Sequence, residues 1–161
     1  MNINKTVLHH YSGTELIMFN SKSGKTSKLD GISIEEESVK VLSGNLLYSL
    51  DLWPFKPALH SMNRLTIPLE NGEIPLIELA KICRPSVYWS GTEKDRAIGH
   101  SPVCDRYEFY YSDGSFYIIQ DPSGFRDVPN QLECFQYLIK NHFNVFGLSE
   151  SEYIEKSTLK L

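Results

Sequence analysis

The fold is decided by residues 107–119, whose sequence is YEFYYSDGSFYII. Two runs rich in aromatic and β-branched residues flank Asp113 and Gly114, and an Asp-Gly pair in this setting is the strongest short-range signal for a β-hairpin. Gly114 accepts a positive φ because it has no Cβ. A two-residue turn also fixes the register, with the pairs Tyr111–Phe116, Tyr110–Tyr117 and Phe109–Ile118.

Side chains alternate between the two faces of such a hairpin. The face expected to point into the core carries Phe109, Tyr111, Phe116 and Ile118. The opposite face is more amphipathic and carries Glu108, Tyr110, Tyr117 and Ile119. An isolated hairpin is marginally stable in water, so this one needs a packing partner.

The segment that follows the hairpin supplies that partner. Over residues 131–143, apolar side chains recur at helical spacing, namely Leu132, Phe135, Leu138, Ile139 and Phe143. Such a stripe predicts an amphipathic helix. We expect the aromatic face of the hairpin to pack on it.

A similar succession occurs earlier, at residues 65–83. Asn71 and Gly72 predict a hairpin turn, and Pro75 is well placed to open a helix that ends at Cys83. The sequence therefore predicts an α+β fold, with one domain over residues 1–150, an antiparallel sheet built from hairpin–helix units, and two principal helices. Residues 151–161 are predicted to be a polar tail.

Size and composition restrict the class of protein. A chain of 161 residues is most simply one domain, and its formal charge of −4 argues mildly against binding that depends on neutralising phosphates. We expect no membrane span, because no apolar run reaches about 18 residues. The start of the chain has no apolar signal segment, which favours the cytoplasm. The three cysteines are too few for a disulfide framework and are expected to be reduced thiols.

Two patterns resemble cofactor or metal sites but are incomplete. The segment Ser23-Gly24-Lys25-Thr26 resembles the end of a phosphate-binding loop, yet Phe19 stands where the loop requires its first glycine. We therefore expect a solvated loop and no nucleotide. His100 and Cys104 form one loosely spaced pair, whereas zinc sites use several closely spaced ligands. No cofactor, metal site or catalytic residue is predicted.

The favoured hypothesis is a non-enzymatic protein that binds another protein. Its binding surface is expected to be aromatic, because aromatic residues are enriched in binding hot spots. The candidates lie in proline-flanked or loop segments and are Trp53, Phe55, Tyr88 and Trp89. The identity of the partner and the oligomeric state do not follow from the sequence.

Two alternatives belong to other classes. A single-stranded nucleic-acid-binding protein could stack bases on a platform formed by Tyr110, Tyr117, Arg106 and Lys25. A small enzyme could build a site from His9, His10 and His100, because imidazole titrates near neutral pH.

Three segments carry a family resemblance, KPALHSMNRLT at residues 56–66, NGEIPL at 71–76 and LIKNHFNVFGL at 138–148. In this order they resemble motifs of a group of small uncharacterised proteins from prophages and mobile elements of gut Bacteroidetes. The resemblance covers the chain from Lys56 onward. It implies a phage or mobile-element context and implies no known activity.

Overall fold

The computed structural model describes residues 5–33, 38–43, 46–51, 55–121 and 124–159. The chain divides into two compact units. The first unit consists of Met1–Met62 together with Ile139–Leu161, and the second unit consists of Asn63–Leu138. The predicted α+β class, its antiparallel pairing and its two principal helices are confirmed, but the strands are distributed over two sheets.

The elements of the first half of the chain are, in order, α1 (Lys5–His9), β1 (Ile17–Asn20), β2 (Thr26–Ser33), β3 (Ser38–Ser43), β4 (Leu46–Asp51), β5 (Phe55–Leu59) and α2 (Pro75–Cys83). Those of the second half are β6 (Tyr88–Glu93), β7 (Arg96–Ser101), β8 (Cys104–Ser112), β9 (Ser115–Gln120), β10 (Gly124–Asp127), α3 (Gln131–Lys140) and β11 (Ile154–Glu155). Short 3-10 helices cover Met62–Arg64 and Lys156–Thr158. No helix in this described part of the chain is long and apolar enough to cross a bilayer.

The first unit contains a six-stranded sheet in the order β11-β5-β1-β2-β3-β4. Its apolar core is formed by Leu8, Tyr11, Leu16, Met18, Leu29, Ile32, Val39, Val41, Phe55, Leu59 and Leu148. The hydroxyl of Tyr11 is buried and donates to the backbone oxygen of Phe143 over 2.5 Å. This bond joins the turn that follows α1 to the segment that follows α3.

Two residues of the predicted polar tail belong to this sheet. Ile154 and Glu155 form β11, which pairs in parallel with Ala58 and Leu59 of β5. The Glu155 carboxylate accepts a hydrogen bond from the backbone N–H of Ser61 over 2.9 Å. Strand pairing and this hydrogen bond together attach the tail to β5 and to the residues that follow it.

The second unit contains a five-stranded meander in the order β10-β9-β8-β7-β6. The hairpin of β8 and β9 has the predicted register, with Tyr111 opposite Phe116, Tyr110 opposite Tyr117 and Phe109 opposite Ile118. Asp113 and Gly114 have φ values of 49° and 80°, as a type I′ turn requires. The sequence prediction of this hairpin is therefore confirmed in its turn and in its pairing.

The predicted core face of the hairpin packs against α3. Phe109, Phe116 and Ile118 are buried, whereas Tyr111 is half-buried. The ring of Phe116 lies 5.5 Å from that of Phe135 in α3. Helix α3 ends at Lys140 rather than at the predicted Phe143, because His142 has a φ of 62° and cannot continue a right-handed helix.

Helix α3 also completes an edge of the hairpin. The side-chain amide of Gln131 accepts from the backbone N–H of Phe116 over 2.9 Å and donates to the Phe116 carbonyl over 2.6 Å. It thereby satisfies both backbone groups of a strand residue, as a neighbouring strand would do. This contact links the start of α3 to the start of β9.

The first predicted hairpin–helix unit is correct in its helix and wrong in its strands. Pro75 occupies the first turn of α2, as expected. Gly72 has a φ of 82° in a tight turn, and the Leu69 N–H bonds to the Glu73 carbonyl over 2.8 Å. Residues 65–69 and 73–74, all of them described, are not in strands. Pro68 lacks the N–H that a strand ladder requires, which favours this outcome.

Gly99 in β7 should not tolerate a larger residue. A Cβ placed there would lie 2.6 Å from Val87 Cγ1 and 2.7 Å from Trp89 Cε3. We expect Gly99→Ala to lower the free energy of unfolding by about 1–3 kcal/mol, since overpacking forces neighbours to move. Urea denaturation measures the loss. Gly91→Ala is the matched control, because a Cβ at Gly91 would have no described atom within 4 Å. Equal stabilities of the two variants would contradict this expectation.

Candidate interaction face

The aromatic surface predicted from the sequence does not form as expected. Phe55 is 5% exposed and belongs to the core of the first unit, and Trp89 is 7% exposed in the second unit. Tyr88 is 74% exposed. Trp53 lies outside the described residues. The prediction of a shared exposed surface is thus corrected for Phe55 and Trp89.

The reason for each burial is local. The prolines beside Phe55 do not place it on a surface, because Pro57 lies inside β5 opposite Met18. Tyr88 and Trp89 are consecutive residues of β6, and consecutive strand residues point to opposite faces. The indole N–H of Trp89 donates to the Arg84 carbonyl at the end of α2 over 3.2 Å. Only Tyr88 of the four is shown to be exposed.

A different aromatic surface lies on the sheet of the second unit, on the side opposite Phe109 and Phe116. We call it the outer face and define it by Glu93, Arg96, Arg106, Glu108, Tyr110, Tyr117 and Ile119. Pairing places Arg96 opposite Tyr110, and Tyr110 opposite Tyr117. These side chains are half-buried, except that of Glu93, which is exposed.

Ion pairs fix the charged residues of the outer face. The Glu108 carboxylate accepts hydrogen bonds from Arg106 Nε over 2.8 Å and from Arg96 Nη1. Arg106 Nη2 donates to Glu93 Oε2 over 2.7 Å. The hydrogen bond from Arg106, followed by that from Arg96, holds the pKa of Glu108 below its usual value. Glu108 therefore stays ionised, and the two arginines are neutralised by the two glutamates.

The aromatic residues adjoin this ion network. The guanidinium carbon of Arg96 lies 4.8 Å from the centroid of the Tyr110 ring, which is within cation–π range. The centroids of the Tyr110 and Tyr117 rings are 5.7 Å apart, and the rings are tilted by 34°. These two tyrosines are thus held side by side on adjacent strands, with an arginine over one of them.

A pocket of about 300 Å³ opens at one end of the outer face. It is lined by Arg106, Glu108, Ile119, Gln120, Asp121 and Gly124. Ile119 gives it an apolar wall, and Asp121 adds an exposed carboxylate. The outer face together with Asp121 carries three carboxylates and two guanidiniums, which leaves one excess negative charge.

The structure brings together three of the four residues that the sequence suggested as a nucleic-acid platform. Tyr110, Tyr117 and Arg106 share the outer face. Lys25 belongs to the first unit, where it lies in the exposed turn between β1 and β2. The Asn20 carboxamide closes that turn, because its oxygen accepts from the backbone N–H groups of Lys22 and Ser23 over 2.9 and 3.1 Å.

The histidines selected from the sequence are placed in both units. His9 and His10 are exposed near the end of α1 in the first unit, and His10 stacks on Phe146 with the ring centroids 4.7 Å apart. His100 belongs to the second unit and is exposed, with Nδ1 2.5 Å from the Asp105 carbonyl oxygen. The buried histidines are His60 and His142, which sequence reasoning did not select as site residues.

His142 has both ring nitrogens occupied. Nε2 lies 2.7 Å from the Thr14 carbonyl oxygen, and Nδ1 lies 3.0 Å from Lys156 Nζ. Since a carbonyl only accepts and an ammonium only donates, Nε2 carries the proton and Nδ1 accepts from Lys156. Burial, followed by the charge of Lys156, lowers the pKa of His142 to about 4. This arrangement holds a neutral ring in place and suits a structural role.

His60 lies beside this contact. Its backbone N–H donates to the His142 carbonyl over 2.8 Å, and its carbonyl accepts from Asn144 over 2.9 Å. Its Nδ1 is 3.5 Å from Glu155 Oε1. His60 and His142 are far apart in sequence and have no common motif, so only the three-dimensional fold reveals the cluster.

No protein-family model matches this chain, and no curated protein or solved structure matches it. Function is therefore inferred from the chain's own residues.

Proposed function

We propose that this protein is a non-enzymatic interaction protein that binds a partner protein through the outer face of its second unit. The observation that carries the proposal is the pair of adjacent, partly exposed tyrosines, Tyr110 and Tyr117, beside arginines that are already ion-paired. The resemblance stated above adds the expectation that the partner is a phage or host protein.

The composition of the outer face suits a protein partner. Tyrosine and arginine are enriched among the residues that contribute most to protein–protein binding. Arg96 and Arg106 are each held by a carboxylate, so their side chains lose less freedom when a partner binds. Tyr110 is fixed between Arg96 and Tyr117. The face therefore has aromatic anchors that are already ordered.

The charge of the outer face indicates which kind of partner segment it binds. We propose a partner segment with a lysine or arginine next to an apolar side chain. Ile119 can contact the aliphatic part of the basic side chain, and Asp121 lies at the same pocket to receive its charge. The excess of carboxylates at this site and the formal charge of −4 on the chain both favour a cationic partner.

A single-stranded nucleic acid is the second candidate. The observation that favours it is the tyrosine pair with Arg96 over one ring, since aromatic side chains with arginine can stack bases. Glu93, Glu108 and Asp121 argue against it, because they lie beside the same arginines and repel phosphates. The protein partner is preferred for this reason.

Selection of peptides on the parent protein from a random peptide display library tests the proposal, and the Tyr110→Ala/Tyr117→Ala double variant is used only afterwards, to compare affinities. We expect the retained peptides to contain a basic residue beside an apolar one. Synthetic copies should bind the double variant at least ~10-fold more weakly in calorimetric titration, as the loss of hot-spot residues requires. Val103→Ser is the control, because Val103 is 86% exposed in the turn between β7 and β8.

Circular dichroism verifies that each variant is folded. Peptides that bind the double variant as tightly as the parent protein would contradict the proposal. A labelled single-stranded oligonucleotide is titrated in parallel at two salt concentrations. Tight binding that weakens as the salt concentration rises, and that requires Tyr110 and Tyr117, would instead support the nucleic-acid candidate.

A further inference from the structure

Two cysteines of the second unit lie against each other. Cys83 is the last residue of α2, and Cys134 lies in α3. Both are free thiols, and their Sγ atoms are 3.3 Å apart. The two helices are also joined by the Asn130 side chain, whose Nδ2 donates to the Ile82 carbonyl over 3.4 Å. This hydrogen bond joins the last turn of α2 to the residue before α3, close to the two thiols.

The two thiols differ in their access to solvent. Cys134 is fully buried, whereas Cys83 is partly exposed. The remaining cysteine, Cys104, is buried at the start of β8, where its sulfur lies 3.1 and 3.0 Å from the carbonyl oxygens of Arg106 and Asp121. The chain therefore contains one close thiol pair with a reachable sulfur, and one separate thiol in a different environment.

We propose that Cys83 and Cys134 are a redox-active dithiol, which a peroxide converts to an intramolecular disulfide and a thiol reductant restores. A disulfide bond is about 2.05 Å long, so the sulfur atoms must approach each other by about 1.3 Å. This site is independent of the proposed interaction face.

The chemistry of the pair follows from the contact between its sulfurs. The hydrogen bond between the two sulfurs lowers the pKa of Cys134 and raises the pKa of Cys83, so the first thiolate forms on Cys134. Transfer of the Cys83 proton across the 3.3 Å contact then places the negative charge on Cys83, the sulfur that solvent reaches. The Cys83 thiolate attacks one oxygen of hydrogen peroxide, the O–O bond breaks, and a sulfenic acid forms while the departing hydroxide takes up a proton as water. Cys134 then attacks the Cys83 sulfur, the S–O bond breaks, and a second water leaves. Two thiols are oxidised and one peroxide is reduced to two waters.

The disulfide would close a long loop. Cys83 and Cys134 are 51 positions apart, and the strands β6 to β10 all lie between them. A cross-link over this distance restricts the unfolded chain and so stabilises the folded second unit. Oxidation should therefore raise the thermal midpoint of that unit, and reduction should lower it again.

The full-length protein is treated with hydrogen peroxide, and its intact mass and non-reduced peptide map are measured. We expect the loss of two hydrogen atoms, a linked pair of peptides containing Cys83 and Cys134, and an unmodified Cys104 that alkylates after denaturation. Dithiothreitol should restore the original mass. The same treatment of Cys104→Ser should still give the link, whereas Cys83→Ser and Cys134→Ala should not.

The result is informative even if Cys134→Ala folds poorly, because Cys83→Ser removes the partly exposed partner alone. A disulfide that includes Cys104 would overturn the proposal. A protein in which Cys83 is oxidised to sulfinic acid with no link to Cys134, or is linked only between two chains, would overturn it as well.

Discussion

Replacing Phe116 with alanine should lower the free energy of unfolding of the second unit by about 3–5 kcal/mol, the usual range for removing a buried phenylalanine. Phe116 is fully buried. Its ring stacks on Phe109 with the centroids 5.6 Å apart, and it also contacts Tyr111 and Phe135 at 5.0 and 5.5 Å. The substitution would leave a cavity between the hairpin and α3.

Urea denaturation followed by tryptophan fluorescence measures this loss, because Trp89 belongs to the same unit. Tyr117→Ala is the matched control. Tyr117 is the next residue of β9 and is half-buried on the outer face, so its removal should cost less. Similar losses for the two variants would mean that the hairpin does not pack through Phe116.

The sequence predicted this hairpin because its information is local. Asp113 and Gly114 determine the turn, the turn determines the register, and strand alternation then decides which aromatic side chains point inward. The start of α2 was predictable for a similar reason, since Pro75 suits the first turn of a helix. The positions of Tyr110 and Tyr117 on one face of the hairpin are predictable for the same reason, because they follow from the turn and from strand alternation.

The sequence predictions are wrong where residues far apart in the chain determine the local structure. The turn at Gly72 formed without its predicted strands, because neighbouring strands must be supplied by other parts of the chain. The sequence predicts Trp89 on an exposed surface, but the face of β6 to which it points is determined by its pairing with Gly99. The attachment of the tail depends on Glu155, which meets Ser61 from 94 positions away.

Sequence patterns do not predict two of the contacts described above. The pair of Cys83 and Cys134 joins the ends of two helices, and each residue alone resembles an ordinary buried cysteine. His142 lies within the predicted helix of residues 131–143, but neither its left-handed backbone nor its contact with Lys156 has a local signal. Polar side chains that meet across the fold follow no periodicity, whereas apolar strands and helices do.

Acidification between pH 6.5 and 4 should destabilise the first unit through His142. The ordinary pKa of histidine is about 6.5, and burial with the neighbouring Lys156 lowers the pKa of His142 to about 4 in the folded protein. The unfolded state therefore binds more protons in this window, so stability is fully present above pH 6.5 and is lost as the pH falls through it. The difference corresponds to about 3 kcal/mol.

The groups around His142 contribute to the lowering of its pKa. Lys156 and His60 disfavour a positive charge on the ring, whereas the Thr14 carbonyl and Glu15 favour it less strongly. Protonation of Nδ1 would also break the hydrogen bond from Lys156, since both partners would then be donors. The protonated ring therefore lacks one of the two hydrogen bonds that hold the neutral ring in the folded unit.

Urea denaturation at pH 7.5 and at pH 4 tests this, with His142→Asn as the variant. Asparagine tolerates the left-handed φ of 62° and does not titrate, so this variant should lose about 3 kcal/mol less than the parent on acidification. His9→Asn is the control, because His9 is exposed and should leave the acid sensitivity unchanged. If His142→Asn loses as much stability as the parent protein, the acid-sensitive group lies elsewhere in the chain.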